Sequence, residues 1–174
     1  MKKKLTFLFV MLPFVLILNG CTAAEPTLEI VKSQDTVEIN SEYIDQGATF
    51  VNGVEEILVY SETTIDTSVL GLTQLNYTYT LEEETFTAIR YVIVVDQTAP
   101  MISLNMGIDT VIVGITWIDQ GVTITDNSLE EITPTILGVV NTTVAGTYEI
   151  RYTATDASGN MSSITRFVTV IAQT

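Results

Sequence analysis

The chain writes one unit twice, and that constrains its fold more than any other feature. From Tyr43 to Phe50 it reads YIDQGATF, and 74 residues later, from Trp117 to Ile124, it reads WIDQGVTI. At the same offset Pro26-Thr-Leu-Glu-Ile meets Pro100-Met-Ile-Ser-Leu, and Asp35-Thr36-Val37 meets Asp109-Thr110-Val111. One inserted residue later, Val54-Glu-Glu-Ile57 meets Leu129-Glu-Glu-Ile132, Gly71 meets Gly146, and Tyr77-Thr78 meets Tyr152-Thr153. After a second insertion Arg90-Tyr-Val92 meets Arg166-Phe-Val168. Matches in one order with only two slips mean duplication, and a repeat must be found before any element is assigned.

Each copy reads as all-β. Tyr148 to Ala154 alternates apolar with polar, the period of a half-buried strand. Tyr148, Ile150, Tyr152 and Ala154 are expected to point inward, with Thr73, Leu75, Tyr77 and Tyr79 in their places in the first copy. The β-branched run from Ile164 to Ile171 closes the second copy, and Asp156 to Asn160 reads as a hairpin loop. Six or seven short strands in about 74 residues is the count for a small β-sandwich. A unit of that size buries only about 60% of its unfolded surface and depends on a well-filled core.

The N-terminus is set apart from the fold. Lys2 to Lys4, then an apolar run from Leu5 to Leu18, form a secretory signal layout. The run is shorter than the roughly 20 residues of a membrane span, and Pro13 interrupts it. Leu18-Asn19-Gly20-Cys21 resembles the lipobox of bacterial lipoproteins, which implies lipid attachment at Cys21, the lone cysteine. Expected boundaries are a signal peptide over 1–20, a short tether over 21–25, and sandwich domains over 26–97 and 98–174. The expected location is the extracytoplasmic face of the cell membrane, with the first domain close to the lipid and the second projecting outward. An acylated cysteine carrying two or more chains suffices for stable anchoring.

Composition excludes several classes of function. With no histidine, the Ser-His-Asp and Cys-His nucleophile arrangements and His-containing zinc sites are closed. One cysteine gives no internal disulfide. After Cys21 there are four basic residues, Lys32, Arg90, Arg151 and Arg166, against 21 acidic ones, a formal charge of −17. Such a chain repels nucleic acid. No phosphate loop, nucleophile elbow or zinc spacing is present, so no catalytic residue is assigned and the chain is read as non-enzymatic.

Gly146 to Asn160, GTYEIRYTATDASGN, resembles the GTYTVTYTATDASGN signature of bacterial immunoglobulin-like domains found in tandem on surface proteins. Asp96-Gln-Thr-Ala-Pro100 is similar to the D-x-T-A-P junction between such domains, and Ile118 to Val122 to their x-D-P-G-V segment. The first copy departs at Leu81 to Thr85, so its hairpin is expected to differ. The resemblance implies two tandem immunoglobulin-like β-sandwiches used for adhesion or for binding a protein or glycan outside the cell. The alternative is a passive spacer or a structural subunit of an envelope complex. With the chain ending at Thr174, just after the last strand, the second domain is expected to do the binding.

No cofactor or metal ligand set is assigned from the sequence. The nearest approach is a calcium clamp of Asp96 with Asp126 or Asp156; no D-x-D-x-D-G loop supports it, and single aspartates at turns ordinarily cap their own backbone. Trp117 and Tyr43 are expected as core residues at a strand start, with a sugar-stacking pair as the alternative. Glu82 to Glu84 is expected as a solvated hairpin tip. In the repeated phrase, Asp45 and Asp119 are expected to bond the turn backbone, and Gly47 and Gly121 to take the left-handed conformation.

Overall fold

The structure, a computed structural model, describes residues 24–173; the signal segment and Cys21 lie outside the described residues. Twelve strands and no helix make up those residues, so the chain is all-β as expected. In the first copy these are β1 (Thr27–Glu29), β2 (Gln34–Glu38), β3 (Ala48–Asn52), β4 (Glu55–Val59), β5 (Gly71–Leu81) and β6 (Glu84–Val95). The second has β7 (Met101–Leu104), β8 (Thr110–Ile112), β9 (Val122–Thr125), β10 (Thr135–Leu137), β11 (Gly146–Thr155) and β12 (Met161–Ile171).

The first copy builds two three-stranded sheets, β1-β3-β4 and β2-β6-β5. Their inner faces meet in one cluster: Val37, Ala48, Leu75, Tyr77, Val92 and Val94 are buried, with Leu28 and Val59 packed on them. The second copy repeats most of this core, with Val111, Ile150, Tyr152, Val168 and Val170 in the matching places, while Val122, in the place of Ala48, is only half-buried. Each buried valine, leucine or isoleucine among them contributes about 1.5–3 kcal/mol by leaving water. The long hairpins β5–β6 and β11–β12 follow from the alternation already legible in sequence: Leu75 and Tyr77, like Ile150, Tyr152 and Ala154, face the core while their neighbours face solvent. In both copies a short strand pairs in parallel with the end of the hairpin, β2 with β6 and β8 with β12.

The copies differ in their fourth strand. β4 stays beside β3, whereas β10 moves to the other sheet and pairs with β11. Gly53, at φ 65°, makes the tight turn that returns β4 along β3. The second copy has no glycine there; Asp126 binds Ser128 in a local turn, Leu129 takes φ 62°, and Pro134 cannot donate to a ladder. The strand therefore restarts at Thr135, after the proline. The first copy's hairpin also differs, as expected: Glu82 at φ 54° and Glu83 make a two-residue turn, and Glu82 to Glu84 are exposed.

Candidate functional site

The repeated phrase lies at the centre of a polar network that each copy builds around one buried arginine. In the first copy Arg90 is 1% exposed. Its Nη1 donates to Asp45 Oδ1 at 3.0 Å, Nη2 to the Gly47 carbonyl at 2.9 Å, and Nε to the Lys32 carbonyl at 3.1 Å. Asp45 Oδ1 also accepts from the Gly47 N–H at 2.9 Å and the Tyr77 hydroxyl at 2.6 Å. Arg90 lies over the Tyr77 ring, 5.6 Å from its centroid. Asp35 takes the Tyr43 hydroxyl at 2.9 Å and the Lys32 ammonium at 3.1 Å.

The second copy repeats the constellation with its ion pairs exchanged. Arg166, also 1% exposed, donates to the Gly121 carbonyl, as Arg90 does to that of Gly47. Asp119 Oδ1 accepts from the Gly121 N–H at 2.8 Å and the Tyr152 hydroxyl at 2.5 Å. Here, however, the close ion pair is Arg166 with Asp109 at 2.9 Å, and Asp119 stands off at 3.7 Å. In the first copy Asp45 is the close partner at 3.0 Å and Asp35 stands off at 3.7 Å. Gly47 and Gly121 have φ of 74° and 68°, the left-handed conformation expected of them. The aspartates do bond the turn, but they also fix a tyrosine and an arginine far off in sequence. All these interactions are internal. The phrase is a structural lock, and its chemistry is spent on orienting the sheets.

These groups carry shifted acidities. Burial pushes the Tyr152 hydroxyl up to about 12, helped by its bond to Asp119. Tyr77 moves in the same direction, by burial first and then its bond to Asp45. Burial alone would raise Asp35, but hydrogen bonds from Lys32 and Tyr43 and the Arg90 charge hold it below its ordinary 3.8. Glu38 is likewise held below 4.5, because donors from Thr98, Gln97 and Asn127 outweigh its desolvation. A carboxylate depressed in the folded state gives stability that is full above its unfolded value and lost as pH falls through the folded one. Urea melts between pH 6 and 2.5 should thus show a plateau down to about pH 4.5 and a decline below it, shallower in Asp35→Asn.

Neither Trp117 nor Tyr43 stands at a strand start. Both lie in irregular segments five residues before β9 and β3, and both are half-buried. The stagger arises because the Asp and Gly that follow each ring form the lock, so the strand resumes only after the turn. Tyr43 packs on the first core and is tied to Asp35. Trp117 donates its Nε1–H to the Ile108 carbonyl at 2.9 Å and lines two surface depressions of about 360 and 390 Å³. One is walled by Gly138, Val139 and Ile136, the other by Ile108, Ile115 and Ile118.

The segment joining the copies is held from both sides. Glu38 Oε1, at the end of β2, accepts from the N–H groups of Gln97 and Thr98, the Thr98 hydroxyl and Asn127 Nδ2, at 2.7–3.1 Å. Asn160 Nδ2 donates to the Asp96 carbonyl at 3.1 Å. Asp96, Asp126 and Asp156, the three aspartates singled out in the sequence, converge here: each offers an oxygen within 4.8 Å of the others. Sequence reasoning missed Glu38, whose role depends on donors some 60 and 89 positions away.

Residues 106–170 match the family described as bacterial surface protein, Ig-like domain. The second copy is similar to this family over those residues. Domains of this kind mark bacterial proteins displayed at or outside the cell surface, and surface Ig-like domains are in general not enzymes. Among solved structures, human mucin-like protocadherin EC1-2 is similar at 12% identity and a TM-score of 0.31, over 87% of this chain and all of that one. The curated proteins include no match.

Proposed function

We propose that the chain is a lipid-anchored surface protein, held through Cys21, that presents two tandem Ig-like domains and binds an extracellular protein or glycan without catalysing a reaction. The domain reading is supported by the sheets: each copy closes its own two sheets and its own arginine lock, and no described sheet takes strands from both. The observation that carries the binding reading is Trp117. It stands between two depressions in the second domain, beside Ile108, Ile115 and Ile118, which are 74%, 56% and 70% exposed. A half-buried indole with an apolar rim is a surface on which a sugar ring or an apolar side chain packs with little loss of side-chain entropy.

The test is a glycan and protein array probed with the full chain, followed by titration of any hit against Trp117→Ala. Binding that weakens at least tenfold in the variant, roughly 1.4 kcal/mol, supports the reading. Because Trp117 is the chain's single tryptophan, its emission should also shift on ligand addition. Silence on both arrays favours the spacer or structural-subunit role.

A further inference from the structure

The convergence of Asp96, Asp126 and Asp156 does not account for itself. They come from three places: the segment between the copies, the turn after β9, and the β11–β12 loop. Asp96 and Asp156 are only 9% and 7% exposed. Among the described residues, neither they nor Asp126 lies within ion-pair distance of a lysine or arginine. Like charges brought together out of water repel, and burying them without a counter-charge is costly.

A second observation points to what is missing. Asp126 Oδ2 is fully buried and accepts no hydrogen bond, and on the next residue Asn127 Oδ1 is in the same state. The other oxygen of Asp126 is engaged, by the N–H and hydroxyl of Ser128, so the turn holds the carboxylate in place and leaves Oδ2 over. Asp156 is fixed in the same manner by Asn160, through its N–H at 2.8 Å and its Nδ2 at 2.9 Å. An acceptor of the cluster itself, Asp126 Oδ2, thus lacks a donor, as does one on the residue that follows it. A buried donor would satisfy the acceptors and leave the charge uncompensated; a hard cation answers both needs.

We propose that the joint between the copies binds a divalent cation of the calcium class through Asp96, Asp126 and Asp156. Calcium suits the set because it takes oxygen ligands only and tolerates irregular geometry, with carbonyls and water completing its shell. The residues aligned with Asp126 and Asp156 in the first copy are Asn52 and Leu81, so the site belongs to the joint and is not repeated. Asp96 lies two residues before Thr98, which Glu38 of the first copy binds. A cation that fixes Asp96 against the second copy therefore stiffens the linkage that Glu38 begins.

The experiment uses the full chain in detergent, stripped with a chelator and titrated calorimetrically with CaCl₂. Saturable binding with a dissociation constant on the order of 10⁻⁴ to 10⁻³ M is expected. At 10 mM Ca²⁺ the folding equilibrium should then shift by roughly 10- to 100-fold, read as a rise in melting temperature. Asp126→Asn keeps an oxygen for Ser128 and should fold; it should melt no lower than the native chain in chelator and lose the Ca²⁺ response. Asp156→Asn gives a second variant with the same expectation. No binding heat and no change in melting at 10 mM Ca²⁺ overturns the proposal, as does a shift that NaCl of equal ionic strength reproduces or that both variants retain. The array result does not depend on these outcomes, so the two readings fail separately.

Discussion

Replacing Arg90 with alanine should destabilise the first copy by about 3–5 kcal/mol, the cost of breaking a buried ion pair from one side. Three donors disappear together, leaving the carbonyls of Lys32 and Gly47 and the Asp45 carboxylate without their arginine partner. The aspartates cannot rehydrate freely, being only 19% and 21% exposed at Asp35 and Asp45. Arg166→Ala should cost less, because Asp109 and Asp119 are 40% and 28% exposed and water can replace part of what is lost. Lysine should rescue neither variant fully, since a point charge cannot serve two carbonyls and a carboxylate in the planes that the guanidinium fits. Urea melts followed by far-UV circular dichroism will rank the four variants, and Trp117 emission reports the second copy alone. An Arg166→Ala loss larger than that of Arg90→Ala would contradict the role given to solvent access.

The second large effect is expected at Gly138. It has φ of 110°, and a Cβ placed there would stand 2.1 Å from the backbone oxygen of Glu149 in β11. The clash is with a strand of the central hairpin, so the segment after β10 must be pushed off the sheet. Gly138→Ala therefore combines a conformational penalty of about 1–2 kcal/mol with an overpacking penalty of about 1–3 kcal/mol. Gly121→Ala is the control. Its φ of 68° carries the same kind of strain, but nothing lies within 4 Å of the added carbon. The alanine at 138 should accordingly lower the midpoint of the Trp117 transition well beyond the alanine at 121.

Much of the lock is legible in the sequence. Asp35 and Asp109, Asp45 and Asp119, Tyr77 and Tyr152, and Arg90 and Arg166 were all aligned as pairs, and all eight residues entered the network. Which of them touched was not visible, because their separations of 32 to 57 positions carry no local signal. The exchange of close and distant aspartate between copies was likewise hidden, since it turns on which carboxylate meets Nη1 of the arginine, Asp45 in one copy and Asp109 in the other, while Nε stands off from Asp35 and Asp119. The fourth strand shows the opposite failure. Val54 to Ile57 and Leu129 to Ile132 match in sequence, yet Glu55 to Ile57 enter β4 while Leu129 to Ile132 join no strand, a difference that begins at the turn before each segment, Gly53 against Asp126-Asn127-Ser128.

By itself the sequence determined the strand class, the duplication, the inward face of each hairpin and the left-handed glycines. Those properties follow from side-chain alternation and from backbone sterics that act within a few residues. Only the tertiary structure decided that the repeated aspartates serve a buried arginine, that Glu38 grips the joining segment, and that three aspartates share one small space. Those outcomes depend on which distant groups lose their water together, and that is fixed only when the sheets close on one another.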